Sequence, residues 1–402
     1  MVIGIDASRA NVAERTGTER YAFEVIQRLP RLWPEVTFRL YIREPLLADF
    51  QFTEPNVEVV VLSWPPKILW SHLRLAWELL WHRPDILFVP ADTVPLIHPQ
   101  RTVTTIHDIA FERFPELYRG KSVQRRMGPL RPIVHALVRL VTLGRYSASE
   151  RDYHRWSVRH ALRTCPVILT VSEFSKQEIV QVLHAPPNQI VVTPLGVQQA
   201  SFFSQFTTEQ KETTRQRLKI ERPFFLFLGR LETKKNIDQV MAAYISYARR
   251  VPDPVDFVLA GNPGYGWEQA AAKIQPDVAA HIHQLGYVGD MDVRVLQATA
   301  TALVMVSRYE GFGIPAVESL AAGVPVIASR AGSLPEVLGE CAKFVDLDSV
   351  QEIASALDEV SRDAHLRQEL ITRGRAWVQR FTWDQTAAAT KDALAAMAHL
   401  PR

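Results

Sequence analysis

Cysteine is scarce in these 402 residues: only Cys165 and Cys341 occur, far apart and without metal-ligand spacing. That excludes a disulfide scaffold and fits a reducing, cytosolic compartment. Long apolar runs are missing too, since none approaches the roughly 20 residues needed to span a bilayer. The opening Met-Val-Ile-Gly-Ile-Asp has no basic leader, so it predicts a first strand in place of a signal peptide. The loop that follows holds one glycine, Gly17, in Arg15-Thr-Gly-Thr-Glu-Arg20. It is not a Gly-x-Gly-x-x-Gly fingerprint, which removes the best sequence support for a nicotinamide enzyme. Short internal repeats and low-complexity tracts are absent as well.

What is present describes a globular protein, 47% hydrophobic and 22% charged, long enough for two domains with separate cores. The net charge of +3 is mild but unevenly spread. Arg119 to Arg163 carries eleven Lys/Arg against Glu150 and Asp152, a local +9 that leaves −6 for the remainder. Such asymmetry predicts a surface that meets anions. Within it Leu130, Ile133, Val134, Leu137 and Val141 recur at helical spacing, with Arg131, His135 and Arg139 on another face. An amphipathic helix lying on an anionic membrane has this pattern, and so does a helix packed on its own domain with a solvated back. Without RNA-module motifs, nucleic acid is not expected as a partner.

Short apolar runs alternate with helical patterns from end to end, which predicts α/β architecture with parallel sheets. The first series of strands is Val2–Asp6, Phe38–Ile42, Val57–Leu62, Ile86–Val89, Val103–Ile106, Val167–Val171 and Ile190–Thr193, with helices at Glu19–Leu29, Ser71–His82 and Glu173–Leu183. Gln199–Arg222 turns polar and reads as a linker plus a helix. The second series is Phe224–Leu228, Phe257–Ala260, Ile282–Leu285, Ala302–Val306, Val324–Ala328 and Lys343–Val345, followed by an amphipathic helix over Trp383–Ala396. Two doubly wound, Rossmann-like domains follow from this, 1–198 and 199–382, with 383–402 a terminal helix returning to the first domain. Ligands in such sheets bind outside the carboxyl ends of the strands, here in a cleft between the domains.

The most informative segment is Glu310-Gly-Phe-Gly-Ile-Pro-Ala-Val-Glu318. It follows an apolar strand, offers two glycines for close backbone approach, and leads into a helix opened by Pro315 and closed by Gly323. A glycine-bearing loop feeding a helix N-terminus is a ready anion site. Glu318 is expected in the first turn, where a carboxylate can accept two hydrogen bonds from a diol such as a ribose. Arg230 and Lys235, at a strand end and the next helix start, are suited to neutralise a departing diphosphate, although a solvated basic face would look alike. His107 also ends a strand; alone it is more often a structural hydrogen-bonder than a ligand-binding group, and Asp108 would orient its ring.

Together Gly229-Arg-Leu-Glu-Thr-Lys-Lys-Asn236, Glu310–Glu318, Thr105-Ile-His-Asp-Ile-Ala-Phe-Glu-Arg-Phe-Pro-Glu116, Val171-Ser-Glu-Phe-Ser175 and Val192-Thr-Pro-Leu-Gly-Val197 resemble the family-4 retaining glycosyltransferases of the GT-B fold. The likeness is greatest to the bacterial branch that builds cell-surface polysaccharides, many of whose members are mannosyltransferases. It implies a cytoplasmic hexosyltransferase at the inner face of the membrane, acting without metal or other cofactor. GDP-mannose is the first donor implied, with UDP-glucose and UDP-N-acetylglucosamine left open, and a glycan or lipid-linked hydroxyl is the acceptor. The resemblance makes His107, Glu310, Arg230 and Lys235 catalytic. It gives donor binding to Gly17, Gly229, Tyr287, Val288, Gly311, Phe312, Gly313, Ile314 and Glu318. Asp290-Met-Asp292 and Asp346-Leu-Asp348 have an Asp-x-Asp spacing, which is read here as turn and helix-start acids because Arg230 and Lys235 supply the countercharge. Other readings are a nucleotide-sugar epimerase or sugar-phosphate synthase of the same fold, and a non-catalytic nucleotide-sugar-binding regulator.

Overall fold

A computed structural model describes residues 1–64, 70–118, 150–199 and 203–398. Most of the basic stretch, with the amphipathic pattern from Leu130 to Val141, lies outside the described residues. The chain divides into two compact units, Met1–Gly196 with Trp383–Arg402, and Val197–Thr382.

In the first unit seven strands are described: β1 (Val2–Asp6), β2 (Thr37–Ile42), β3 (Val57–Val61), β4 (Ile86–Val89), β5 (Thr102–Thr105), β6 (Val167–Thr170) and β7 (Ile190–Val192). They form one parallel sheet in the order β3-β2-β1-β4-β5-β6-β7. Ile86 to Val89 are all buried, as a strand covered on both faces requires. The helix Gly17–Leu32 begins two residues before the expected Glu19, so Gly17 is its first residue and not part of the preceding loop. Ser71–His82 divides into a π-helical turn, Ser71–Leu75, and an α-helix, Ala76–Trp81. The terminal helix Trp383–Ala398 buries Trp383, Thr386, Ala387, Thr390, Ala393, Leu394 and Met397, an i, i+3, i+4 stripe. It belongs to the first unit and packs on Gly17–Leu32, with Thr386 Oγ1 donating to the Pro194 carbonyl at 2.7 Å.

The second unit is a six-stranded parallel sheet of β8 (Phe224–Leu228), β9 (Asp256–Ala260), β10 (Ile282–Gly286), β11 (Ala302–Met305), β12 (Val326–Ser329) and β13 (Lys343–Val345), in the order β10-β9-β8-β11-β12-β13. The helix Ile237–Arg250 lays Ile237, Val240, Met241, Tyr244 and Ala248 on this sheet, beside Phe225, Phe227, Phe257 and Leu259. Its buried positions recur every three or four residues, which is why this stretch is a helix with one face on the core.

Each sheet reverses its winding once, between β1 and β4 in the first unit and between β8 and β11 in the second. At such a reversal the connecting helices leave to opposite faces and open a crevice at the carboxyl ends of the strands.

Candidate active site

The second unit's crevice is built first by glycines. Gly229 follows β8 at φ 123° and its amide donates to the Ala260 carbonyl at 2.9 Å. Leu231 then donates to Asn262 at 3.0 Å and receives Gly264 at 2.8 Å, so the loops after β8 and β9 zip together. A Cβ on Gly261 would lie 1.9 Å from the Gly229 carbonyl oxygen, closer than any side chain can approach. A Cβ on Gly264 would meet the Arg230 stem at 2.8 Å. These two glycines place the Arg230 segment, and sequence reading did not single them out; their signal was a pair of glycines directly after a buried strand.

Past Arg230 a single 3-10 turn, Thr233–Lys235, ends on Asn236 in the left-handed region at φ 59°. Asn236 is buried and its side-chain amide donates to the Leu347 carbonyl at 2.6 Å, which explains why a non-glycine residue is held there. The turn aims Lys235 across the crevice, where its ammonium pairs with the Glu310 carboxylate from the loop after β11. A backbone bond from Arg308 to the Lys234 carbonyl, 2.8 Å, joins the same two loops. Lys235 and Glu310 therefore face one another at the reversal point, whereas the Arg230 side chain is 53% exposed and Glu232, 3.9 Å from it, is buried.

Behind Glu310 the chain passes Gly332 at φ 62°, where a Cβ would lie 2.7 Å from the Glu310 nitrogen and 2.8 Å from its oxygen. Gly332 is a third glycine that sequence reading missed. Ahead of Glu310, Gly311, Phe312 and Gly313 are buried, and Gly313 at φ 93° delivers the chain into the helix Ile314–Ala322. The Phe312 ring meets Phe381 edge-on at 5.5 Å, so its side chain packs and only its backbone is left to serve a ligand. Pro315 is near the helix start and Gly323 closes it at φ 77°, as expected.

Glu318 departs from expectation. Counted from Ile314 it lies in the second turn, and it is buried against Arg294, whose guanidinium pairs with its carboxylate. Gly313, in the left-handed region, lets the helix begin at Ile314, one residue before Pro315, which makes Glu318 its fifth residue, beside the helix Asp290–Thr299. Gly289 precedes that helix, and Tyr287, which is largely exposed, and Val288 lie just before it.

Of the two Asp-x-Asp pairs, Asp290 and Asp292 fall in the first turn of that helix, with Asp292 paired to Arg217. Asp346 accepts from the Asp348 amide at 3.0 Å, and Asp348 pairs with Arg308 at 3.0 Å.

In the first unit His107 follows β5, its Nε2 3.4 Å from the Pro90 carbonyl and its ring edge-on to Tyr21 at 4.9 Å. Burial holds its pKa below the ordinary value, so the ring is neutral near pH 7. Because a carbonyl can only accept, Nε2 carries the proton. Tyr21 lies one turn beyond Gly17 in the first helix, and its hydroxyl is 3.0 Å from Thr105 Oγ1. Asp108 does not orient the imidazole by a hydrogen bond: its Oδ1 accepts from the Ala110 amide at 2.9 Å and starts the short helix Ala110–Arg113. Asp92, after β4, pairs with His154 at 3.4 Å. Both cysteines are buried and their thiols are pushed up, Cys165 to about 12, which makes them inert.

Two family models match in succession: Glycosyltransferase Family 4 over residues 15–200 and Glycosyl transferases group 1 over residues 210–377. The chain belongs to the glycosyltransferases of the GT-B fold. Among curated relatives, O-antigen chain mannosyltransferase B of Escherichia coli is 27% identical over 87% of this chain and 80% of its own. A GDP-mannose-dependent alpha-(1-6)-phosphatidylinositol monomannoside mannosyltransferase of Mycobacterium tuberculosis is 30% identical over 57% of this chain and 61% of its own. MMP alpha-(1->4)-mannosyltransferase of Mycolicibacterium hassiacum is 29% identical over 58% of this chain, which spans about half, 54%, of that relative. In fold the glycosyltransferase is similar to sucrose-phosphate synthase from Thermosynechococcus elongatus (TM-score 0.67, 17% identity, 98% of each chain covered). It is also similar to Anabaena HepE in complex with UDP and glucose (TM-score 0.64, 16% identity, 98% and 99% covered).

Proposed function

We propose that this glycosyltransferase is a retaining mannosyltransferase that moves mannose from GDP-mannose to a glycan or lipid-linked hydroxyl in cell-surface polysaccharide assembly. The observation that carries the reading is the Lys235–Glu310 pair facing across the β8/β11 reversal, one glycine-bearing loop from a helix N-terminus. Lys235 and Arg230 supply fixed positive charge for a diphosphate, and the dipole of the helix Ile314–Ala322 adds to it. When the donor enters, its phosphates compete with Glu310 for the Lys235 ammonium. Glu310 then turns to sugar hydroxyls, and Glu318 accepts from the ribose diol.

In the transfer step the bond from the anomeric carbon to the diphosphate oxygen breaks with its electron pair leaving on the phosphate. Positive charge builds on the sugar ring, as in glycoside hydrolysis. The acceptor oxygen bonds the anomeric carbon on the same face, and its proton passes to the departing phosphate oxygen. Acceptor recognition falls to the first unit, where the neutral His107, its Nε2 proton held by the Pro90 carbonyl, accepts a hydrogen bond from a hydroxyl at Nδ1 without adding charge. Because Arg230 and Lys235 provide the countercharge, this reading needs no metal, and chelation should leave turnover unchanged.

Among the described residues no helix is long and apolar enough to cross a membrane. Trp77, Leu80 and Trp81 of the helix Ala76–Trp81 are exposed, an apolar patch of the kind that marks an interaction surface. With the basic stretch 119–163, this supports peripheral attachment at the cytoplasmic membrane face. Sedimentation with anionic liposomes at low salt checks it; no co-sedimentation rejects the attachment.

The activity itself is tested by incubating the purified protein with GDP-mannose and a mannan or polyprenyl-linked acceptor. NMR of the product should show the axial anomeric configuration of the donor preserved. An inverted product, or transfer from UDP-glucose in preference to GDP-mannose, overturns the corresponding part of the reading.

A further inference from the structure

Glu318 is a carboxylate in an apolar helix, 5% exposed, and two side chains of the neighbouring helix Asp290–Thr299 converge on one of its oxygens. Arg294 Nη1 pairs with Oε2, and Gln297 Nε2 lies 3.4 Å from the same Oε2. The two are themselves joined, Arg294 Nη1 to Gln297 Oε1 at 3.2 Å, and Gln297 Nε2 also reaches the Pro315 carbonyl at 3.3 Å in the first turn of the Glu318 helix. Arg294 is 9% exposed and Gln297 fully buried, so neither is a solvated surface group that happens to lie near. No hydrogen bond from the described residues ends on Glu318 Oε1.

A carboxylate oxygen has two acceptor positions. Two donors on Oε2 fill it, and the two positions left on Oε1 match the two hydroxyls of a vicinal diol. Burying an arginine and a glutamate together is costly unless the geometry is used, since both lose water and the pair often adds little to stability. The helix that supplies Arg294 and Gln297 begins directly after Gly289, just beyond Tyr287 and Val288, which the family resemblance gives to donor binding.

We infer that Arg294 and Gln297 are positioning residues for the nucleoside ribose: they hold Glu318 by Oε2 so that Oε1 alone receives the 2′- and 3′-hydroxyls. This rests on the nucleotide-sugar reading of the site. It ties ribose recognition to the helix that begins just beyond Tyr287 and Val288.

The test is calorimetric binding of GDP and of 2′,3′-dideoxy-GDP to the full chain, for the wild type, Arg294→Met, Arg294→Lys and Gln297→Leu. The wild type should prefer GDP. Arg294→Met should weaken GDP about tenfold, the size of one charge-assisted contact, and change the dideoxy ligand less than about twofold. Arg294→Lys should keep most of the preference, and Gln297→Leu should lose part of it. If Arg294→Met weakens both ligands alike, or neither, the positioning role is wrong while the ribose reading stands. A wild type that binds both ligands equally removes the ribose reading and this inference with it. Should Arg294→Met fail to fold, Gln297→Leu with unchanged preference is sufficient to overturn the proposal.

Discussion

The two units share a parallel doubly wound sheet but equip their reversal points differently. In the second unit the crevice is shaped by backbone: Gly229, Gly261, Gly313 and Gly332 adopt positive φ and bring loops within van der Waals limits of one another. Charged groups are then paired, Lys235 with Glu310 across it and Arg294 with Glu318 between the helices Asp290–Thr299 and Ile314–Ala322. In the first unit the groups at the end of β5 are neutral, His107 and Thr105 with Tyr21 beside them, held by burial, while Asp92 after β4 pairs with His154. The contrast fits a division of labour. A diphosphate is recognised by charge and backbone dipoles, which demand fixed geometry, whereas an acceptor hydroxyl needs an uncharged hydrogen-bonding partner.

The sharpest way to break this comparison is Lys235→Ala. Loss of a fixed cation at the leaving group should lower the transfer rate by about 10³-fold or more, with the fold retained in circular dichroism. Full turnover would show that the second unit does not work by charge. Gly261→Ala is next: with a Cβ 1.9 Å from the Gly229 oxygen, the loops must separate, at an expected cost of more than about 3 kcal/mol in denaturant unfolding. A neutral result would remove backbone crowding as the architect of the crevice. His107→Ala should reduce kcat by about 10²-fold, with nucleotide affinity nearly unchanged, because the effect lies with the acceptor. Equal losses in nucleotide binding would move His107 to the donor side.

Acidity separates the units more gently. His72, His98, His107 and His160, all in the first unit, have pKa values lowered by burial, His72 to about 4. A folded pKa below the unfolded one means the unfolded chain takes up protons first. Stability from these groups is therefore present above about pH 6.5 and lost as pH falls toward 4. Hydrogen exchange should show first-unit peptides losing protection in that window; constant protection would contradict the burial of the rings.

Legibility in the sequence follows the same division. Strand positions were readable to within a residue or two because buried parallel strands are short apolar runs, such as Phe224–Leu228. The Glu310–Glu318 spacing and Arg230/Lys235 were readable because glycine, proline and charge sit at fixed offsets from strand ends. Arg294 and Gln297 were not, since their partner Glu318 is 24 and 21 residues away on another helix, and nothing local marks the pairing. Asp108 misled for a related reason: its nearest neighbour in sequence is His107, but its hydrogen bond goes to the Ala110 amide. The helix start at Ile314, one residue before Pro315, also moved Glu318 from the fourth to the fifth helical position, a shift that Gly313 permits and composition does not announce.

The central claim is that the second unit grips a nucleoside diphosphate at the β8/β11 reversal through Lys235. Titration of GDP and UDP into the wild type and Lys235→Ala tests it most directly. One nucleotide, GDP on this account, should bind the wild type selectively, with affinity falling at least about tenfold in Lys235→Ala. Absence of binding by both nucleotides, or equal binding to the two proteins, would contradict it.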